Sequence, residues 1–142
     1  MPVSAADALC RFVPPFMRYL REGLAKVNIS PARFQILQAL TQGEARSMVE
    51  LSERLSVTKR NITSLVDGLE KEGLVARRPH PTDRRSTLVA MTPAGEEVFA
   101  RAAQTQQEHL KALLTGLDPA EQRQMSRALG QLVETMTAKD RP

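Results

Sequence analysis

Cysteine, histidine and aromatic residues are scarce in this chain of 142 residues: it has one cysteine, two histidines, one tyrosine and no tryptophan. A single cysteine excludes an internal disulfide framework and suits a reducing cytoplasm. Cys10, His80 and His109 are far apart in the sequence, so they do not have the spacing of a metal-ligand cluster. We therefore expect no structural or catalytic metal and no cofactor.

Long apolar runs are also missing, which excludes a membrane span of the usual kind. Residues 1–7 have neither the charged nor the apolar region of a signal peptide. The chain has no Ser/His/Asp set, no cleft-like pair of carboxylates and no glycine-rich phosphate loop. We expect a soluble cytoplasmic protein that has no enzymatic activity and does not bind membranes.

The length is that of one domain with enough core to fold unaided. The formal net charge of +4 fits a polyanionic partner, although many basic proteins bind no nucleic acid.

Residues 58–70 have the pattern of an amphipathic helix. The apolar side chains recur at i, i+3, i+4 and i+7, as on one buried stripe: Ile62, Leu65, Val66 and Leu69. The opposite face carries short or cationic side chains that can reach base edges and phosphates in a major groove: Lys59, Arg60, Asn61, Thr63 and Ser64. Taken alone, this face fits a solvated helix equally well. Thr58 is the expected N-cap, and Gly73 is the expected left-handed residue after the last turn.

A second helix is predicted just before this one. Ser47 and Glu50 form a capping box that starts a short helix, roughly residues 48–55. Residues 56 and 57 leave only a tight turn before Thr58, which is the spacing of a helix-turn-helix. Ser47 and Thr58 can also offer hydroxyls or helix N-terminal amides to phosphate.

A basic hairpin follows the two helices. Residues 74–78 and 87–91 are β-compatible runs, and the loop between them contains two prolines. Arginine at the tip of such a hairpin fits a narrow minor groove, where negative potential is focused. Arg84 and Arg85 are the tip candidates, and Arg77 and Arg78, at the base, are expected to contact phosphates. We expect Asp83 to orient a neighbouring arginine through a charge-assisted hydrogen bond.

Taken together, these spaced elements resemble the MarR family of bacterial transcription regulators. The resemblance covers about the middle third of the chain, and the family's Asp-x-Arg wing signature falls on Asp83 and Arg85. The matching positions outside that signature are Leu51, Ser52, Leu55, Thr58, Ile62, Thr63, Leu65, Val66, Asp67, Leu69, Glu70, Gly73, Leu74, Val75, Val89, Met91, Thr92 and Gly95. The fold class implied is mainly α with a small β wing: a winged helix-turn-helix whose N- and C-terminal helices form a dimerisation region.

Both ends of the chain carry helices with apolar stripes. In the first, Pro14 and Pro15 interrupt the stripe, which predicts either a kink or two abutting helices. Ser30, Thr92 and Asp118 each precede a proline, as N-caps do, and predict helices from residue 31 to about 43, from 93 to about 115, and from 119 onward. We therefore expect residues 1–29 and 93–142 to form the dimerisation region and residues 30–92 the DNA-binding domain. The terminal stripes exceed what a small winged helix needs to cover itself, and we interpret them as a homodimer interface.

The resemblance implies a sequence-specific regulator of double-stranded DNA, most often a repressor, that binds a pseudo-palindromic operator. It would act by competing with, or excluding, RNA polymerase at a promoter. It also implies a small aromatic, phenolic or carboxylate effector bound between the dimer helices and the winged lobe. The candidate pocket residues are Phe12, Phe16, Met17, Arg18, Tyr19 and Phe34. For most of them, an ordinary place in the core is the interpretation that we favour.

Two alternatives remain. One branch of the family senses hydroperoxides through a cysteine in the N-terminal helix, which would be Cys10 here. That branch also relies on nearby tyrosines, and this chain has only Tyr19, so we favour a buried or incidental cysteine. The other alternative is a winged-helix module that binds protein. Such a module needs no arginine-rich wing, so the arginines between Arg77 and Arg85 argue against it.

Overall fold

The computed structural model describes residues 2–139. Within that range the chain is mainly helical, with one small antiparallel sheet, which confirms the predicted fold class of a mainly α protein with a β wing. The helices are α1 (Ala5–Ala25), α2 (Pro31–Ala39), α3 (Met48–Leu55), α4 (Lys59–Lys71), α5 (Pro93–Leu114) and α6 (Pro119–Ala138). The strands are β1 (Arg46–Ser47), β2 (Val75–Pro79) and β3 (Thr87–Met91).

The predicted N-caps are confirmed, and local sequence sets where these helices begin. The side chains of Ser30, Ser47, Thr58 and Asp118 each accept a hydrogen bond from the backbone N–H three residues later. Thr92 does the same for Gly95, at 3.1 Å. Each bond satisfies one of the amides that a helix N-terminus leaves without an intrahelical partner. At α3 and α6 the bond is reciprocated by a glutamate, which completes a capping box.

One open alternative is decided and one predicted helix boundary is wrong. Where the sequence allowed either a kink or two abutting helices, the structure has one helix from Ala5 to Ala25 with Pro14 and Pro15 inside it. Two adjacent prolines remove only the donors to the carbonyls of residues 10 and 11, and both of those residues are exposed to water. α2 ends at Ala39 and not near Gly43; a 3₁₀ turn, Thr41–Gly43, follows it.

The sheet has the strand order β1-β3-β2. β2 and β3 pair from Val75 opposite Met91 to Pro79 opposite Thr87. Pro79 has no amide to donate, and it lies on β2, an edge strand of the sheet, where proline is tolerated. β1 was not predicted, since two residues are too short to show an alternating pattern; it pairs with β3 through Arg46 and Val89.

A single core joins α2, α3, α4 and the sheet to the end of α1 and to α5. Its largest fully buried side chains are Leu24, Ile36, Leu37, Leu40, Leu51, Ile62, Leu69, Val66 and Val89. Gly95 lets α5 begin close to the sheet, because a Cβ there would overlap the carbonyl oxygen of Leu74. Thr92 holds the same junction: its hydroxyl donates to the carbonyl of Gly73 at 2.6 Å, and its backbone N–H donates to the carbonyl of Leu74 at 3.1 Å.

The chain forms two compact units, one ending at Gln107 and the other beginning at Glu108. In the second unit, the side-chain amide of Gln122 donates to the carbonyls of Leu114 and Leu117 at 3.0 and 3.1 Å, and so ties the two helix ends across their connecting turn. Large apolar side chains remain exposed on α1 and α6: Leu9, Phe12, Val13, Met17, Leu129, Leu132, Val133 and Met136. None of the helices in residues 2–139 combines the length and the apolar character needed to cross a membrane.

Candidate nucleic-acid interface

The turn between α3 and α4 orients the second helix. Ser56 ends α3 in the left-handed region, with φ of 52°, and the N–H of Val57 donates to the carbonyl of Ser52 at 3.0 Å. Ile62, Val66 and Leu69 are then buried in the core, as predicted from their spacing. The opposite face of α4 is exposed and carries Lys59, Arg60, Asn61, Thr63 and Ser64.

Hydroxyl groups near the start of α4 are already partly engaged. Thr58 accepts the N–H of Asn61 at 3.2 Å. The Thr63 hydroxyl donates to the carbonyl of Lys59 at 2.8 Å, so its hydrogen is used within the helix while an oxygen lone pair still faces outward.

Arg77 bonds the base of the wing to α4. Its guanidinium donates to Asp67 at 2.6 Å and to Glu70 at 2.8 Å, and its backbone N–H donates to the other oxygen of Glu70 at 3.1 Å. Burial by itself would lower the pKa of the guanidinium, but the hydrogen bonds and charges of Asp67 and Glu70 outweigh it and raise that pKa. A raised arginine pKa means that the guanidinium loses its charge only in strong alkali, so its own titration does not change stability near neutral pH.

The wing loop from His80 to Ser86 is closed by its own backbone. The N–H of His80 donates to the carbonyl of Ser86 at 3.3 Å, and the N–H of Ser86 donates to the carbonyl of Asp83 at 3.1 Å. The Asp83 carboxylate accepts the backbone N–H of Arg85 at 2.9 Å. The expected bond to an arginine is therefore made to the backbone of Arg85, because so short a side chain closes an Asx turn two residues on. The side chains of Arg84 and Arg85 are exposed at the tip.

The ring of His80 lies inside this loop. Its Nδ1 accepts the backbone N–H of Thr82 at 3.2 Å and that of Asp83 at 3.0 Å, and the Thr82 hydroxyl is 3.3 Å from the same nitrogen. Three polar groups thus converge on one ring nitrogen.

The start of α3 connects the wing tip to α4. A cleft of about 450 Å³ is lined by Met48 and Val49 on one side and by Asp83 and Arg85 on the other. A second cleft, of about 210 Å³, is lined by the same two α3 residues together with Lys59 and Thr63 of α4. The polar face of α4, the start of α3 and the wing tip therefore form one continuous surface, which we call the α4–wing surface.

The candidate effector residues lie on α1 and α2. Phe12 stacks on Phe16, with ring centroids 4.6 Å apart, and Phe34 stacks on Phe99 of α5 at 5.3 Å. Phe34 packs against the core, as in the ordinary interpretation that we favoured. Met17 and Arg18 are exposed, and Tyr19 is half-buried.

Cys10 is exposed on α1 in this chain. We had favoured either a buried cysteine or an exposed cysteine without a function. Because Cys10 is exposed, only the second of these two interpretations agrees with the structure. Among residues 2–139, no three His, Cys, Asp or Glu side chains are grouped in a way that could hold a metal ion.

Sequence patterns missed two features of the α4–wing surface. Asp67 and Glu70 lie one turn apart on an otherwise cationic helix, and that spacing is a signal for a shared basic partner. The Nδ1 of His80 accepts hydrogen bonds from the backbone N–H groups two and three residues later. This local pattern is familiar for Asp and Asn but unusual for histidine.

The fold and this surface define a winged helix-turn-helix protein, a class that presents its second helix to DNA. A family model described as MarR family matches residues 27–86. The chain is 33% identical over 98 residues to the multiple antibiotic resistance protein MarR of Escherichia coli, a match that covers 69% of this chain and 68% of that protein. It is 30% identical over 112 residues to the transcriptional repressor YetL of Bacillus subtilis, covering 78% and 67%.

Some relatives are considerably longer than the matched region. The match covers 55% of a putative regulatory protein for the hcr operon of Thauera aromatica.

Two of the solved structures that are similar to this chain contain DNA. A mutant of E. coli MarR with operator DNA is 28% identical, with a TM-score of 0.73, and the match covers 88% of this chain and 91% of that one. The repressor CouR on a 23-mer duplex is 27% identical, with a TM-score of 0.79, covering 94% and 92%. The chain belongs to the MarR family of DNA-binding transcriptional regulators.

Proposed function

We propose that the protein is a homodimeric repressor that binds a pseudo-palindromic operator through the α4–wing surface of each subunit. The observation that carries this proposal is the continuity of that surface. The exposed polar face of α4 and Arg85 of the wing tip adjoin the same residues at the start of α3. A basic surface built on a helix and a hairpin fits a major groove and the adjacent minor groove.

Each part of the surface has its own task in this proposal. Lys59, Arg60, Asn61, Thr63 and Ser64 of α4 lie in the major groove. Arg84 and Arg85 enter the minor groove. Arg78, Ser47 and Thr58 serve phosphates, the last two through the amides and hydroxyls at the starts of α3 and α4.

Arg77 is assigned a different task from the phosphate contact expected of it. Its guanidinium already donates to Asp67 and Glu70, so a phosphate would have to break two charged hydrogen bonds. We assign Arg77 to positioning the wing relative to α4.

The dimer is proposed from the exposed apolar faces of α1 and α6. Exposed apolar patches of this kind mark association surfaces when they are contiguous. Residues 1–29 and the residues from 93 onward would form the dimerisation region, and residues 30–92 the DNA-binding domain. A twofold dimer would place its two α4 helices about 34 Å apart, one turn of DNA.

A titration with fluorescent DNA from upstream of the protein's own gene tests the proposal, at two salt concentrations and with scrambled DNA as competitor. Specific binding that weakens steeply with salt supports it. Arg85→Ala should weaken binding by about 1–3 kcal/mol, whereas Arg101→Ala, an exposed arginine of α5, should not. Equal affinity for scrambled DNA, or equal affinity in the two variants, would refute this assignment of the surface.

The effector is proposed to be a small aromatic acid or phenol. The support is the stacked Phe12–Phe16 pair, and Arg18 is an exposed cation on the same helix. Benzoate added to the DNA complex should release the protein, and Arg18→Met should raise the benzoate concentration needed. Release at the same concentration from both proteins would remove Arg18 from the site.

The redox alternative has one supporting observation, the exposure of Cys10. If the thiol senses peroxide, oxidised wild-type protein should release DNA while Cys10→Ser stays bound. If both proteins stay bound, the thiol is incidental.

A further inference from the structure

We propose that the neutral imidazole of His80 positions the wing-tip arginines, so that protonation of His80 weakens the DNA contact of the wing. The inference rests on the proposed function, because it deepens how the α4–wing surface binds DNA. His80 is not among the proposed DNA contacts; it is a positioning residue that acts through the loop.

Nδ1 can accept the amides of Thr82 and Asp83 only when it carries no proton. Both amides point their hydrogens at this nitrogen, at 3.2 and 3.0 Å. The ring must therefore be neutral, with its proton on Nε2. Pro79 and Pro81 flank His80 and restrict the backbone on either side of it.

Protonation would put a hydrogen on Nδ1, where it would face the N–H groups of Thr82 and Asp83 and the hydroxyl of Thr82. The Thr82 hydroxyl, 3.3 Å away, could rotate to accept the new N–H. Backbone amide hydrogens have no such freedom, so the amides of Thr82 and Asp83 would lose their acceptor and face a donor instead. Each amide would lose its hydrogen bond and meet the N–H of the charged ring instead, so the loop should open and turn the amides of these exposed residues to water.

Opening the loop would move the arginine side chains, because the same residues hold the tip. Asp83 presents its carboxylate to the N–H of Arg85 and its carbonyl to the N–H of Ser86. If the backbone of Asp83 moves away from His80, those two hydrogen bonds no longer hold Arg85 and Ser86 in their present positions. Arg84 and Arg85 would then have to be ordered by the DNA itself, which costs conformational entropy on binding.

The charged groups around the ring come from the wing and from the elements beside it. The wing carries Arg77, Arg78, Asp83, Arg84 and Arg85, and β3 carries no charged residue. Next to the wing loop, β1 and the start of α3 carry Arg46 and Glu50, which are bonded to each other at 3.4 Å. Variants at residue 80 keep all of these groups, and they also keep His109. A difference between such variants therefore reports on His80 alone.

The matched pair of variants is His80→Asn and His80→Leu. In asparagine, Oδ1 lies at the position of Nδ1, so it can accept the same two amides in an Asx turn, and it does not titrate. Leucine keeps a similar volume without an acceptor. Affinity for operator DNA is measured for each protein from about pH 8 to about pH 5.5, a range that brackets the ordinary titration of histidine.

At the upper pH we expect wild type and His80→Asn to bind equally, and His80→Leu to bind about five- to tenfold more weakly, since two hydrogen bonds are lost. As the pH is lowered, wild type should lose affinity relative to His80→Asn, which keeps its own. Equal pH profiles for wild type and His80→Asn would overturn the proposal, as would His80→Leu binding like wild type at the upper pH.

A second measurement on the free proteins separates this proposal from the proposed function. The amide signals of Thr82 and Asp83 are followed by NMR over the same pH range. We expect both to move in wild type, with the titration of the His80 ring, and to stay in place in His80→Asn. Amides that ignore the ring titration overturn the proposal whatever the DNA does. If the amides respond but no variant binds DNA at any pH, the proposed function fails and the loop contact stands.

Discussion

Apolar stripes of the same helical spacing are buried in the winged helix-turn-helix region and exposed on the terminal helices. Leu51 of α3 is 0% exposed, whereas Leu132 of α6 is 45% exposed and Met136 is 62% exposed. Both stripes have helical spacing in the sequence. The residues around α3 and α4 find a neighbouring element of the same chain to cover them, and the outer faces of α1 and α6 do not.

This difference separates two roles of hydrophobic patterning. Burial within one chain stabilises that chain, at roughly 25 cal/mol per Å² of apolar surface removed from water. An exposed stripe contributes little until something covers it, and then its energy depends on the concentration of the partner. The DNA-binding region should therefore behave as a folded unit, and the terminal helices as an association surface.

The largest expected effect comes from placing a charge on the exposed stripe. Leu132→Glu should cost the proposed dimer about 3–5 kcal/mol, because a carboxylate would be buried without a partner. Light scattering after gel filtration should show one chain where the wild type shows two, with helical content unchanged by circular dichroism. Gln131→Glu puts the same charge beside the stripe and should stay dimeric. If both variants remain dimers, the α6 stripe is not the interface.

Shortening a side chain of the buried stripe should lower the free energy of unfolding. Leu51→Ala should lower the free energy of unfolding by about 2–5 kcal/mol, because a fully buried leucine leaves a cavity. Leu129→Ala, at a side chain that is 46% exposed, should cost less than about 1 kcal/mol at protein concentrations too low for dimers. Urea unfolding followed by circular dichroism measures both. Similar losses of unfolding free energy at the two positions would mean that the α6 stripe is covered within one chain, as the α3 stripe is.

Two glycines should give effects of opposite sign. Gly95→Ala should destabilise the protein by about 1–3 kcal/mol, because the new Cβ overlaps the carbonyl oxygen of Leu74 in the backbone. Nothing lies within 4 Å of a Cβ at Gly130 of α6, so Gly130→Ala should stabilise the helix by up to about 1 kcal/mol. Thermal unfolding should show a lower Tm for the first variant and a higher Tm for the second. Destabilisation by Gly130→Ala would mean that this face of α6 is closely covered.

The smallest effect should come from the cap of α4. Thr58→Ala removes the acceptor for the N–H of Asn61 and should cost about 1 kcal/mol of stability. Thr58→Ser keeps the hydroxyl and should unfold like wild type. Denaturant titrations of the two variants provide the check, and an equal loss in both would attribute the effect to the threonine methyl group.

Most helix starts could be predicted because capping is local. Ser30, Ser47, Thr58 and Asp118 all act within three residues of their own position, so neighbouring letters of the sequence contain the whole interaction. The end of α2 and the strand β1 could not be predicted. The strand β1 depends on a partner elsewhere, since the pairing of Arg46 with Val89 spans more than forty residues.

The candidate site divides in the same way. The exposed face of α4 and the arginines of the wing loop followed from periodicity and composition. The bonds from Arg77 to Asp67 and Glu70, and the convergence of two amides on His80, did not. Whether a charged side chain meets DNA or another part of its own chain depends on distances that spacing alone does not contain.

The sequence by itself therefore determined the helix starts, the buried stripe of α4, the cationic wing and the family. Those features follow from interactions between residues a few positions apart, or from which side chains prefer water. Only the tertiary structure decided that Arg77 holds the wing to α4, that His80 closes the wing loop, and that the stripes of α1 and α6 stay uncovered within one chain. Those outcomes depend on how elements distant in sequence meet, since hydrogen bonds and burial act over a few ångströms in space.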